Sequence, residues 1–167
     1  MRSHRALLLS TMLMLSLATT GCFTKSAPPP AELAARIITS EHLNPNADGV
    51  PSPVVVRFYE MKSTAKFQNT DFFTLFDDDT GTLASDLVTK DEFRFNPGES
   101  KTINRRLDPA TRFIGVMAAY RDIEKAGWQA VSAITEHKLN ALTILLGRNE
   151  ISISITDSDA DGKAKNE

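Results

Sequence analysis

Two short runs in this chain alternate with a period of two. Val54, Val56 and Phe58 alternate with Val55, Arg57 and Tyr59, and Ile151, Ile153 and Ile155 alternate with Ser152, Ser154 and Thr156. Successive side chains of a strand point to opposite faces, so each run reads as a strand with one buried face. Phe113 to Tyr120 is apolar throughout, which predicts a central strand covered on both faces, and Ala141 to Leu146 reads the same way. Gly147-Arg148-Asn149 then turns the chain into the final strand. Weaker strands are expected at Glu32 to Thr39, Thr89 to Phe95, Lys101 to Leu107 and Gln129 to Thr135, with a turn at Asn96-Pro97-Gly98 between the middle two. About eight short strands separated by turns predict an all-β sandwich.

One segment departs from that period. Ser63 to Leu87 carries Phe67, Phe72, Phe73 and Phe76 at spacings closer to a helix, with Thr70 as an N-cap candidate before Asp71. Short helices inserted between strands are expected there, capping one end or edge of the sandwich. The four phenylalanines together carry several hundred Å² of apolar surface by typical aromatic areas, so they are expected to be buried. That burial is either in the core or in a groove that takes a partner or ligand.

The N-terminus has a different character. Arg2 and Arg5 precede an apolar stretch from Ala6 to Ala18, and the small residues Thr19, Thr20 and Gly21 lead to Cys22. This order predicts a secretory signal peptide over 1–21. The apolar stretch has 13 residues, whereas a spanning helix needs about 20, so export without a retained span is expected. Thr19-Thr20-Gly21-Cys22 resembles the lipobox of bacterial lipoproteins, with Thr19 where that box usually has Leu. The resemblance implies lipidation of Cys22 and cleavage before it. Cys22 is the only cysteine, and acylation accounts for an unpaired thiol in an exported chain. Phe23, rather than Asp, follows it, which by the same resemblance implies the outer membrane. Residues 22–31, with Pro28-Pro29-Pro30, read as a tether that spaces the domain off the bilayer.

Cleavage leaves 146 residues, enough for one domain, expected over 32–156 with the helical insertion at about 63–87. Removing Arg2 and Arg5 leaves 17 basic residues against 21 acidic ones, a formal charge of −4 without a basic cluster. Nucleic acid is therefore not an expected partner.

Three patterns in the sequence resemble chemical sites. Asp157, Asp159, Asp161 and Gly162 match the opening of a calcium-binding loop, but the closing Glu at the twelfth position lies past Glu167. An acidic, disordered tail over 157–167 is expected instead. Asp77-Asp78-Asp79 places adjacent carboxylates in different directions and reads as an exposed turn. The two histidines after Cys22, His42 and His137, have no cysteine to join them at a zinc site. No nucleophile elbow, triad or phosphate-binding loop is present, so neither catalysis, a metal nor a cofactor is expected.

A family resemblance rests on several pieces in order. These are Leu43-Asn44-Pro45-Asn46 with Gly49, Pro51-Ser52-Pro53-Val54-Val55-Val56-Arg57, Asp71-Phe72-Phe73-Thr74-Leu75-Phe76, Pro97-Gly98-Glu99, and Gly115-Val116-Met117-Ala118-Ala119-Tyr120-Arg121 ahead of Trp128. Together they resemble the TssJ/SciN/VasD lipoproteins of type VI secretion. The resemblance implies a transthyretin-like β-sandwich with an added helical element, lipid-anchored in the outer membrane and facing the periplasm. It also implies binding to the periplasmic C-terminal region of the IcmF-like inner-membrane protein TssM, with TssL part of the same complex. The family's contact loop between its first two strands maps to His42 through Pro53, and the candidate partner-binding residues are Asn44, Pro45, Asn46, Asp48, Gly49, Val50, Pro51 and Ser52. Pro45, Pro51 and Pro53 stiffen this loop, so docking costs it less entropy than a Gly/Ser loop. The bland alternative is that Asn44-Pro45 and Asp48-Gly49 simply make turns. A different functional class, a periplasmic ligand- or lipid-binding lipoprotein, is motivated by the phenylalanine cluster and requires an apolar cavity.

Overall fold

The computed structural model describes residues 28–156. Eight strands form: β1 Glu32–Thr39, β2 Val54–Met61, β3 Leu87–Phe95, β4 Ser100–Arg106, β5 Phe113–Ala118, β6 Gln129–Ala133, β7 Leu139–Leu146 and β8 Ile151–Ile155. They build two four-stranded sheets, ordered β4-β1-β7-β8 and β3-β2-β5-β6. All pairings are antiparallel except β1 with β7, where Leu33 lies opposite Asn140 and Thr39 opposite Leu146. The connections after β1, β3, β4 and β6 carry the chain from one sheet to the other.

The period of two seen in the sequence supplies the core. Leu33, Ala35 and Ile37 of β1 and Leu142, Ile144 and Leu146 of β7 face Val54, Val56 and Phe58 of β2 and Ile114, Val116 and Ala118 of β5, all buried. Fully burying one such aliphatic or aromatic side chain stabilises the fold by about 1.5–3 kcal/mol, so this layer is the main stabilising element. Along β8 the shelter runs out: Ile151 is buried, Ile153 half-buried and Ile155 67% exposed. The reason is position, since β8 is the edge strand of its sheet.

Strand β5 is buried on both faces, as its unbroken apolar sequence predicts. Strand β7, expected to be covered in the same way, is buried on one face only and leaves Leu145 exposed, because among the described residues no helix covers the outer side of its sheet. The second cover of β5 is the segment between β2 and β3, which forms α1 Ala65–Asn69, α2 Phe72–Asp77, α3 Asp79–Leu83 and a 3-10 turn at Ala84–Asp86. These helices pack on the outer face of the β3-β2-β5-β6 sheet, not at an end or edge of the sandwich. Phe67, Leu75 and Leu83 meet Tyr59, Met61 and Met117, which alternate with the inward-facing residues of β2 and β5. Gly115 allows the close approach, because a Cβ there would lie 2.5 Å from Met61 Cε and 3.3 Å from Phe67 Cζ.

The local signals of this insertion also resolve differently from expectation. Asp71, not Thr70, caps α2, its carboxylate accepting the Thr74 amide at 3.0 Å. Thr70 instead ends α1, its hydroxyl donating to the Lys66 carbonyl at 2.7 Å. Of the four phenylalanines only Phe67 is fully buried; Phe72 and Phe76 are half-buried and Phe73 is 63% exposed. The acidic run is not a simple exposed turn. Asp78 caps α3 through the Gly81 amide at 2.9 Å, whereas Asp79 is buried. Its carboxylate accepts from Tyr59 Oη at 3.0 Å and Arg57 Nη1 at 3.1 Å, and pairs with Lys90. Among the described residues no cluster of His, Cys, Asp and Glu is placed to hold a metal, and no helix is long and apolar enough to cross a membrane.

Candidate functional site

Strand direction divides the sandwich into two poles. The chain enters at Pro28–Ala31, where His137 Nδ1 donates to the Pro29 carbonyl at 2.7 Å, and β1 carries it to the opposite end. Strand β7 runs parallel to β1, and β5 is antiparallel to β2. The connections 40–53, 119–128 and 147–150 therefore gather at the pole opposite the point of entry. Cys22 and the acidic tail lie outside the described residues.

The base of the 40–53 loop is built into the fold. Leu43 is fully buried in the inter-sheet core. The Ser52 amide donates to the Leu43 carbonyl at 2.9 Å, closing the loop's neck. Asn44 is 3% exposed and sits at φ +46°, a left-handed conformation that Asn tolerates better than most residues. Its amide donates to the Arg148 carbonyl at 2.9 Å. Its side-chain Nδ2 donates to the Pro53 carbonyl at 2.7 Å, and its Oδ1 accepts the Arg121 amide at 2.7 Å. One buried residue, through its side chain and its backbone amide, thus joins all three connections. Tyr120 adds a second link, its hydroxyl donating to the Glu150 carbonyl at 2.8 Å, and burial raises the pKa of that phenol, so it stays a donor at physiological pH.

The tip of the loop is a tight turn in solvent. Asn46 Oδ1 accepts the amides of Asp48 at 3.0 Å and Val50 at 2.9 Å, and the Asn46 amide donates to the Val50 carbonyl at 2.9 Å. Gly49 takes φ +79° in this turn, with nothing within 4 Å of where a Cβ would stand. Pro45 and Asn46 are half-buried, while Asp48, Gly49, Val50 and Pro51 are exposed. Val50, at 56%, is a large apolar side chain presented to water at the tip. The eight candidate residues therefore divide into two groups. Asn44 and Ser52 are structural, and the six between them form the accessible surface.

Residues outside the eight candidates complete this pole. Pro45, Asn46 and Ala47 share a groove of about 500 Å³ with Arg121, Asp122, Arg148 and Asn149. Arg121 follows β5 of one sheet and Arg148 follows β7 of the other, so the packing of the two sheets brings them together. The phenylalanine cluster lies elsewhere, on the helix-covered face. There Phe72 meets Trp128 edge-on at 5.4 Å and stacks on Phe76 at 5.3 Å, and Arg57 stands 4.6 Å over the Phe76 ring.

Comparison with known proteins places this arrangement. The family described as type VI secretion lipoprotein, VasD, EvfM, TssJ matches residues 31–149. The T6SS lipoprotein TssJ1 from Pseudomonas aeruginosa is similar over 77% of this chain and 98% of its own, with 38% sequence identity and a TM-score of 0.75. A chain of a type VI membrane complex is 29% identical, covering 74% of this chain and 97% of its own, with a TM-score of 0.65. A chain from the structure of the T6SS protein TssM C-terminal domain from EAEC is 28% identical over the same 74% and 97%, with a TM-score of 0.61. Comparison with the curated protein sequences returned no match. Because the family match runs from the start of β1 to the turn before β8, the chain belongs to the type VI secretion lipoproteins, as a β-sandwich with a helical cover on one sheet.

Proposed function

We propose that this lipoprotein is a structural adaptor of the type VI envelope complex. Lipid on Cys22 holds it in the outer membrane facing the periplasm. The 40–53 loop grips the periplasmic C-terminal region of TssM, the IcmF-like inner-membrane protein, in a complex that includes TssL. The observation that carries this reading is the separation of the two poles. Eight residues of β1 lie between the point of entry and the loop, about 26 Å at the usual rise of a strand. An anchor and a grip must occupy different ends to act at once, one toward each membrane.

Loop chemistry supports the same reading. The tip is pre-shaped by the Asn46 turn and by Pro45 and Pro51, and its base is fixed by Asn44. Little backbone freedom remains to be lost on docking, which favours affinity without a large interface. Similar chains occur in a type VI membrane complex and in the structure of a TssM C-terminal domain, settings that fit an adaptor. The ligand-carrier alternative loses its motive, because Phe67 packs against Leu75, Leu83 and the sheet, and Phe72, Phe73 and Phe76 pack on one another or face solvent.

The test is direct binding of the detergent-solubilised full-length chain to the cognate TssM periplasmic region by calorimetry. Binding in the micromolar range or tighter is expected, with a large loss when Asn46–Pro51 is replaced by a Gly/Ser segment of equal length. Undetectable binding at high micromolar concentration would sink the adaptor reading. Mass spectrometry of the mature N-terminus checks the anchor, and an unacylated Cys22 in native material would sink that part.

A further inference from the structure

The groove beside the loop has a definite electrostatic character. Arg121 and Arg148 both line it and are exposed, and among the described residues neither guanidinium has a hydrogen-bond or ion-pair partner. The one carboxylate in the lining, Asp122, pairs with Lys125 at 3.2 Å rather than with either arginine. Both arginines are held from behind by the same residue, since Asn44 Oδ1 accepts the Arg121 amide and the Asn44 amide donates to the Arg148 carbonyl. Their backbones are therefore fixed relative to each other, while their side chains extend unpaired into a cleft of about 500 Å³ under Pro45–Ala47.

Two guanidiniums on a fixed frame make a carboxylate receptor, because each presents a planar fork of donors that matches a carboxylate's two oxygens. We propose that this groove takes an acidic segment of the partner protein, with Arg121 and Arg148 each pairing a carboxylate while Val50 and Pro51 supply the adjoining apolar contact. This deepens the adaptor reading and rests on it. The chemistry alone would also suit lipid phosphate. Position favours protein, because the groove is at the pole opposite the tether's entry and so faces away from the membrane that the tether serves.

Charge reversal tests the assignment. The full-length chain and its Arg121→Glu/Arg148→Glu variant are titrated with the TssM periplasmic region at low and high salt. At least a tenfold loss of affinity is expected at low salt, with a flatter salt dependence, because a screened charge pairing has been removed. The Arg121→Lys/Arg148→Lys variant retains charge and is expected to keep most of the affinity. An oligo-glutamate peptide is expected to compete with TssM for the wild-type chain and not for the reversed variant. Unchanged affinity in a reversed variant with a native circular dichroism spectrum overturns the acidic-segment proposal and leaves the adaptor reading standing. No binding by the wild-type chain overturns both. Binding to phosphatidylglycerol vesicles that depends on the two arginines, alongside unaltered TssM affinity, would reassign the groove to lipid and also overturn the proposal.

Discussion

Asn44 Oδ1 accepts the backbone amide of Arg121 at 2.7 Å, although the two residues are 77 positions apart. This contact joins the first inter-sheet connection to the segment after β5. Together with the Asn44 bonds to Pro53 and Arg148, it makes the distal pole one rigid unit. A loop that was merely exposed would have no need of such a base.

Asn44→Ala is therefore expected to destabilise the domain by about 2–4 kcal/mol, because it removes two partly buried hydrogen bonds, to the Pro53 carbonyl and from the Arg121 amide, and forces Ala into a left-handed conformation. Chemical denaturation measures the loss. The same variant should weaken TssM binding even at temperatures where it is fully folded, since the loop loses its side-chain tie to Arg121 and to its own neck at Pro53. Affinity and stability equal to wild type would show that the staple is dispensable.

Gly115 offers a test of the helical cover. A Cβ at this position meets Met61 Cε at 2.5 Å and the Phe67 ring at 3.3 Å, so one of them must yield. Met61 presents the flexible end of its side chain, and Gly115→Ala should cost about 1–3 kcal/mol by overpacking. Gly115→Val should cost more and loosen α1, seen as faster amide exchange over Ala65–Asn69. Equal exchange in wild type and the Val variant would mean that the helix does not depend on this approach.

The strands were legible because burial on one face leaves a period of two, and β1, β2 and β8 each carry it over at least five residues. Burial on both faces leaves an unbroken apolar run, which is how β5 announces the helical cover on its outer side. What covers that side was not legible. The spacing of Phe67, Phe72, Phe73 and Phe76 indicates helix, but short helices expose one ring or another according to how each is tilted. Phe73 falls outside for that reason. Asp79 was misplaced because its partners Arg57, Tyr59 and Lys90 come from β2 and β3, and no local pattern encodes that meeting. The 40–53 loop is marked in the sequence by its prolines and by the family resemblance. Arg121 and Arg148 stand in the sequence only as parts of separate segments, because their meeting depends on how the two sheets stack.

The phenylalanines give a paired prediction. Phe67→Ala removes a ring packed between Tyr59 and the helices, with the Tyr59 ring centroid 5.4 Å away, and should cost about 3–5 kcal/mol. Phe73→Ala removes a ring that is largely in water and should change stability by less than about 0.5 kcal/mol. A cost above 2 kcal/mol for Phe73 would mean that the ring packs in solution. A loss of TssM binding without destabilisation would move the docking surface to the helical face.

Asp79 predicts how stability responds to acid. Burial pushes its pKa up, but hydrogen bonds from Lys90 and Tyr59 and the charges of Arg57 and Lys90 outweigh that, holding it below the ordinary carboxylate value. Burial, then the charge of Asp79 and the hydrogen bond to it, drive the Tyr59 hydroxyl the other way, above its usual value, so it remains a donor. An unfolded Asp titrates near pH 4, roughly 3.9. A group depressed below that in the native state contributes its full stability above about pH 4 and loses it as pH falls through the native value. Asp79→Asn should thus be less stable than wild type by about 3 kcal/mol at pH 7, near the lower end of the cost of breaking a buried pair, because Lys90 keeps access to water. Below about pH 4 the gap between the two proteins should begin to narrow, and it closes only when pH has fallen through the depressed native value, where folded wild-type Asp79 is also neutral. Urea denaturation from pH 7 down to pH 2.5 measures both curves. A gap that stays constant across that range would mean that the carboxylate's charge is not what holds α3 to the sheet.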